Sequence, residues 1–183
     1  DLHLSLRRQR QMCIRDSDCS MRDGGYVNNW YFSKEQAKEC YKAVTECGIG
    51  YCEIGFRRSE HINGPWFYTP ETLVNEVFND ITVPECKLAV MAQMGTFTIN
   101  DFVPRSESLI SMVRVLVAYH CKDKDDTQFN TELLYDTVEM CKKIKDLGYE
   151  VCINIGRIDK MSKEQIKPVS YTHLRAHETL RYL

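Results

Sequence analysis

The chain has 183 residues, 43% hydrophobic and 27% charged, the length and balance of one globular α/β-sized domain. A formal net charge of −2 gives no electrostatic basis for a nucleic-acid or anionic-membrane partner. No apolar run approaches a membrane span and no signal-peptide pattern opens the sequence.

Residues 1–17 and 168–183 lack the periodicity of what lies between them. Their runs RQRQMCIRDS and VSYTHLRAHET resemble translated sequencing-adapter ends, so both are read as non-native tails. The i, i+4 pair His173 and His177 falls in the second tail, lacks the H-E-x-x-H pattern and is set aside as a metal motif. The segment to interpret is 18–167. Nine cysteines, at 13, 19, 40, 47, 52, 86, 121, 141 and 152, form no C-x-x-C. Several sit on apolar-periodic positions, Cys52 and Cys152 among them, which suits reduced core thiols of a cytoplasmic protein.

The interpretable segment opens on Asp18-Cys-Ser-Met-Arg-Asp-Gly-Gly-Tyr26, read as a short strand ending in a charged pair and a sharp turn on two glycines, with a loop over 26–31. Ser33 and Gln36 spell a capping box, and apolar residues at 37, 40, 41, 44 and 47 predict a helix stopped by Gly48. Residues 50–56 read as a buried strand, completing a βαβ unit. The loop 57–68 follows, with His61 and Asn63-Gly-Pro-Trp66, read as a tight turn that packs its tryptophan in preference to a loop that closes over a substrate, then a helix from Thr69 or Pro70 to about Asn79. Strands are predicted at 87–93, 112–118 and 149–155. A Pro104-interrupted connection whose later part reads as helical spans 96–111, and an amphipathic helix spans 131–147. Lys142, Lys143 and Lys145 read as a solvated face and Asp123 to Asp126 as a charged loop tip.

Apolar strands alternating with helices predict a parallel sheet. Neither G-x-G-x-x-G nor a P-loop is present, which disfavours a nucleotide-binding open sheet. Polar residues recur near strand ends: Asp23, Glu53, Arg57, Gln93, His120, Asn154 and Arg157. Barrel active sites are assembled there. The expected fold is α/β, a partial TIM (β/α)8 barrel of about five βα units.

Asp18-Cys-Ser-Met-Arg-Asp-Gly, with Glu53-Ile-Gly-Phe-Arg57, resembles the metal-dependent aldolase and acyl-lyase superfamily whose barrel opens with D-x-[ST]-[LM]-R-D-G. This group includes hydroxymethylglutaryl-CoA lyase-like proteins and pyruvate carboxyltransferase domains, and the 4-hydroxy-2-oxovalerate aldolase-like branch is the most similar. The resemblance implies a lyase that cleaves or forms a C–C bond next to a 2-oxo acid, through an enolate. It implies Asp23 as ligand to a divalent cation, Mg²⁺ or Mn²⁺, and Arg22 as stabiliser of the enolate oxygen. Glu53 is implied to shape the proton and hydrogen-bond network; read from the residues, it is equally a buried carboxylate paired with Arg22.

Tyr26 stands where aldolases of this type carry a histidine. A phenol with an ordinary pKa near 10 needs a perturbed setting to act as base. His61 and His120 are the possible substitutes. The family's later H-x-H ligands have no counterpart in the sequence, and a full barrel takes roughly 250 residues. The chain therefore reads as the N-terminal part of a truncated catalytic domain, and the expectation for its parent is a homo-oligomer acting on a small 2-oxo acid, without nucleic-acid or membrane partners. The alternatives are a Claisen-type acyl-CoA synthase of the same superfamily and a non-catalytic fragment.

Overall fold

Five parallel strands, hydrogen-bonded in the order β1-β2-β3-β4-β5, form a curled half-barrel sheet. The computed structural model describes residues 16–117 and 131–156. Residues 1–15 of the first proposed tail and all of the second, together with Cys121, the Asp123 to Asp126 loop tip, His120 and Arg157, lie outside the described residues. The last two residues of the first tail lie within them: Ser17 pairs with Tyr51 in the sheet, and Asp16 O accepts from Tyr51 N at 3.1 Å. The strands are β1 (Ser17–Asp18), β2 (Tyr51–Phe56), β3 (Lys87–Gln93), β4 (Ile110–Val117) and β5 (Glu150–Ile155). The helices are α1 (Ser20–Asn28), α2 (Lys34–Glu46), α3 (Glu71–Phe78) and α4 (Thr131–Asp146). Among the described residues no helix is long and apolar enough to cross a membrane.

The partial barrel and its parallel strands agree with the sequence reading, and α2 begins where the capping box puts it. Ser33 Oγ accepts from Gln36 N at 3.2 Å, and Gln36 Oε1 accepts from Ser33 N at 2.8 Å. Together these occupy two of the donors a helix start leaves orphaned. Ala37, Tyr41 and Val44 form the buried stripe of α2. Tyr41 reaches across to donate to Cys86 O (2.7 Å) and accept from Val83 N (3.0 Å), tying the helix to the approach to β3. Every residue of β2 is buried, as expected of a parallel strand covered on both faces. In β4, Val113, Val115 and Val117 are buried while Met112, Arg114 and Leu116 are only half-buried. This alternation separates a face packed in the core from one lining the curl of the sheet.

Two stretches differ from the sequence reading. The connection 96–111 contains two 3₁₀ turns, Ile99–Asp101 and Arg105–Glu107, in place of a helix. Pro104, which cannot donate to a helical ladder, separates them. The second difference bears on function. The predicted glycine turn after the charged pair is helical: β1 stops at Asp18, and Arg22, Asp23, Gly24, Gly25 and Tyr26 all lie within α1.

Each glycine inside a helix costs about 1 kcal/mol relative to alanine, so α1 depends on what surrounds it. Asp18 starts it, accepting from Ser20 N (3.0 Å) and Ser20 Oγ (2.9 Å). Asp23 in its first turn complements the positive end of the helix dipole. The indole of Trp30 occupies the space over Gly25, where an added Cβ would lie 2.1 Å from Nε1. That nitrogen donates to Arg22 O at 2.9 Å. The helix ends at Asn29 and Trp30, with φ of 54° and 60°. Tertiary packing thus overrides the local turn preference of Gly-Gly.

Candidate active site

The side chains of Arg22 and Glu53, 31 positions apart in sequence, meet in a buried ion pair between Arg22 Nε and Glu53 Oε1. Glu53 is 0% exposed and Arg22 9%. The other carboxylate oxygen, Oε2, accepts from Arg114 Nη1 on β4 at 3.2 Å. The same Nη1 lies 3.1 Å from Cys19 Sγ, in the linker between β1 and α1. Arg22 Nη1 pairs with Asp23 Oδ1 at 2.5 Å. Asp23 lies at the solvent rim, its side chain 59% exposed.

The consequence is a cation-rich cluster. Two guanidiniums flank one fully buried carboxylate, and the second acid stands in solvent, where its charge is screened. Burial by itself works to lower both arginine pKa values. Only together do the charge of Glu53 and the hydrogen bonds from Arg22 to Glu53 and from Arg114 to Cys19 outweigh this, so both rise above the ordinary value. Both cations are therefore permanent, and Glu53 has both oxygens engaged by them. A carboxylate held this way orients its partners.

Of the residues singled out from sequence, the structure brings together Arg22, Asp23 and Glu53. The pairing of Glu53 with Arg22 is one of the two roles the residues suggested for it. Tyr26 lies one turn beyond Arg22 on α1, 67% exposed, its ring edge-on to Trp30 at 4.7 Å. His61 is in the exposed loop after β2, stacked on Tyr68 at 4.2 Å and 13°. Asn63-Gly-Pro-Trp66 is a tight turn with its tryptophan buried, as expected, and Trp66 Nε1 donates to Phe32 O. Arg57 is structural: it pairs with Glu71 at 2.5 Å and its guanidinium covers Phe102.

The sequence reading missed Arg114 and Cys19. A signal for Arg114 was present, as a lone charge in the apolar alternation Met112-Val-Arg-Val-Leu-Val117 at a position facing the less covered side. Its partners, 61 and 95 residues away, were not deducible.

A divalent cation of the Mg²⁺ type requires several oxygen donors in a near-octahedral set. Among the described residues no three His, Cys, Asp or Glu gather in a way that could hold one. Asp23 offers a single accessible carboxylate, already bonded through one oxygen to Arg22. By themselves the described residues do not make a metal site. Glu53 adds nothing, since both its oxygens face guanidiniums.

No protein-family model matches the chain. It is similar to curated proteins named 4-hydroxy-2-oxovalerate aldolase. Those of Bacillus thuringiensis (strain Al Hakam) and Bacillus cereus (strain 03BB102) are each 26% identical over 151 residues. The one from Bacillus cereus (strain ATCC 10987 / NRS 248) shows the same identity over the same length. The match covers 80% of this chain and 40% of each relative, so the chain spans well under half the length of the curated relatives it matches. The likeness supports a distant relationship to those aldolases.

Proposed function

We propose that residues 18–167 are the N-terminal part of the catalytic barrel of a lyase that cleaves or forms a C–C bond beside the carbonyl of a 2-oxo acid. The observation that carries this reading is the Arg22–Glu53–Arg114 cluster. Breaking or making a bond at the carbon next to a carbonyl passes through an enolate, so negative charge grows on one oxygen. Fixed cations that need not reorganise as that charge appears lower the barrier. Arg22 is the cation adjoining the exposed rim, and Glu53 and Arg114 hold it in place. The distant likeness to 4-hydroxy-2-oxovalerate aldolases supports the same chemistry.

Glu53 and Arg114 act as positioning residues. Glu53 fixes the plane of the Arg22 guanidinium through Nε, and Arg114 satisfies the remaining carboxylate oxygen. Asp23 is proposed as one donor to a divalent cation, Mg²⁺ or Mn²⁺, whose other ligands come from outside the described set. When bound, such an ion would add Lewis-acid polarisation of the substrate carbonyl. Tyr26, exposed on the Arg22 face of α1, is the hydroxyl proposed to exchange protons with substrate or water.

The test is release of pyruvate from a 4-hydroxy-2-oxo acid by the uninterrupted protein that contains this stretch, assayed against CoA-dependent condensation. Arg22→Met should lower pyruvate release by about 10²–10³-fold, the cost of deleting one preorganised oxyanion donor. Release unaffected by Arg22→Met would overturn the reading. Condensation in place of release would favour a Claisen-type acyl-CoA synthase.

A further inference from the structure

Just past the end of β2 the chain carries two successive arginines with opposite circumstances. Arg57 is ion-paired with Glu71. Arg58 has no carboxylate within ion-pairing distance among the described residues. Its guanidinium sits over two aromatic rings, its central carbon 4.1 Å from the Phe67 centroid and 5.1 Å from that of Phe56. One terminal nitrogen donates to the neutral side-chain oxygen of Gln93 at 3.0 Å. Burial holds the Arg58 pKa below its ordinary value; the charges of Tyr26 and Glu60 only partly offset this. The cation is half-buried and has no ion-pair partner among the described residues; Glu60, in the same loop, acts on it through charge alone.

It also lines a cleft. Arg58, Ser59 and Glu60 from the loop after β2 and Gly95 to Thr98 from the loop after β3 enclose about 190 Å³. That is room for a molecule of a few non-hydrogen atoms. The walls are fixed: Ser59 N donates to Thr96 O at 3.0 Å, Ser59 Oγ to Asp101 Oδ2 at 2.6 Å, and Thr98 N to the same oxygen at 2.6 Å. One oxygen of Asp101, Oδ2, is thereby engaged by hydroxyl and amide donors. The mouth stays open at Gly95, where an added Cβ would meet nothing within 4 Å.

We propose that this cleft is a carboxylate-binding site anchored by Arg58, and that it takes the carboxylate of a 2-oxo acid. A planar guanidinium seated over aromatic rings and bonded through one nitrogen to Gln93 keeps further N–H donors, whose fork matches the two oxygens of a carboxylate. The cleft opens at the carboxyl ends of β2 and β3, the face where barrel enzymes bind substrate. It also adjoins the catalytic cluster, since Arg22 and Arg58 share the ring of Phe56, with their guanidinium carbons 5.7 and 5.1 Å from its centroid. Arg22 is thus left to the reacting carbonyl and Arg58 to the acid group. The carboxylate site rests on the cleft alone; its assignment to a 2-oxo acid rests on the proposed lyase reading.

The experiment is titration of the 183-residue chain with pyruvate, methyl pyruvate and acetate, read by amide chemical shifts and calorimetry. Pyruvate should shift the Ser59, Thr96 and Thr98 amides, and methyl pyruvate should not. Arg58→Met should weaken pyruvate binding at least about tenfold, with Arg58→Lys in between, because one charge-assisted hydrogen bond accounts for that much. Acetate separates the two claims. Acetate binding that depends on Arg58 upholds the carboxylate site even if the protein proves not to be a lyase. Pyruvate binding no tighter than acetate binding overturns the 2-oxo acid assignment. Shifts confined to other regions of wild type, equal binding by ester and acid, or no binding at all would overturn the site without reference to any variant.

Discussion

Replacing Glu53 by glutamine keeps its shape and removes its charge, leaving two guanidiniums with no buried partner. The site is dry enough for this to matter: the Glu53 side chain is 0% exposed, that of Arg22 11% and that of Arg114 23%. Removing one member of a buried ion pair costs about 3–5 kcal/mol, because the charge left behind keeps its desolvation penalty without its partner. A small domain has only about 5–15 kcal/mol of total stability, so Glu53→Gln should bring the chain close to unfolding. Urea unfolding at pH 7, followed by circular dichroism, measures the loss. The double variant Glu53→Gln/Arg114→Met should regain part of it, because one of the two uncompensated cations is gone. A Glu53→Gln chain within about 1 kcal/mol of wild type would refute the account of a buried, charge-coupled cluster. So would an Arg114→Met substitution that costs the same in both backgrounds.

Three further outcomes follow from other parts of the fold. Gly64→Ala should cost about 1–3 kcal/mol by overpacking, because its Cβ would lie 2.1 Å from Trp30 O; it should also speed exchange of the Gly64 amide, which donates to Asn29 O at 2.7 Å, and a neutral result would show that the two loops are not interlocked. Cys47 is exposed and should alkylate readily in the native chain. Cys52, raised by its hydrogen bond with Cys40 and by burial, Cys86, raised by burial, and Cys141, pushed up by burial to about 12, should react only on unfolding. Peptide mapping after iodoacetamide reads this directly, and native labelling of Cys52 at the rate of Cys47 would contradict it. The Asp101 carboxyl is opposed by burial but held below its ordinary value by Ser59 and Thr98, so its folded-state pKa is depressed. Its contribution is therefore present above its unfolded pKa of about 3.9 and lost as pH falls through the lower folded value. The stability gap between wild type and Asp101→Asn should be constant near neutrality and shrink as pH falls below about 4; a gap that does not change would refute the hydrogen-bonded carboxylate.

The sequence was most legible where a local rule and the tertiary fold agree. The Ser33–Gln36 box, the apolar stripe of α2 and the unbroken apolar run of β3 are each decided within a few residues, and each appears where expected. It was least legible where distant groups set the outcome. Gly24-Gly25 reads as a turn, and becomes helix where Trp30 seats on Gly25 and Asp18 accepts from the amide of Ser20 at the helix start. The site divides in the same way. Arg22 and Asp23 are neighbours in sequence, and Glu53 carries the mark of a carboxylate in an apolar strand. Arg114 and Arg58 acquire meaning only when the sheet curls and the loops after β2 and β3 meet.

The claim that a preorganised Arg22 stabilises an enolate is tested most directly by pyruvate methyl-proton exchange in D₂O, followed by NMR on the uninterrupted protein. Enolate formation is the only step this reports, so it is independent of the second substrate. The account predicts exchange well above the buffer rate, lowered about 10²–10³-fold in Arg22→Met and partly restored in Arg22→Lys. Exchange that proceeds equally well without the guanidinium would contradict it.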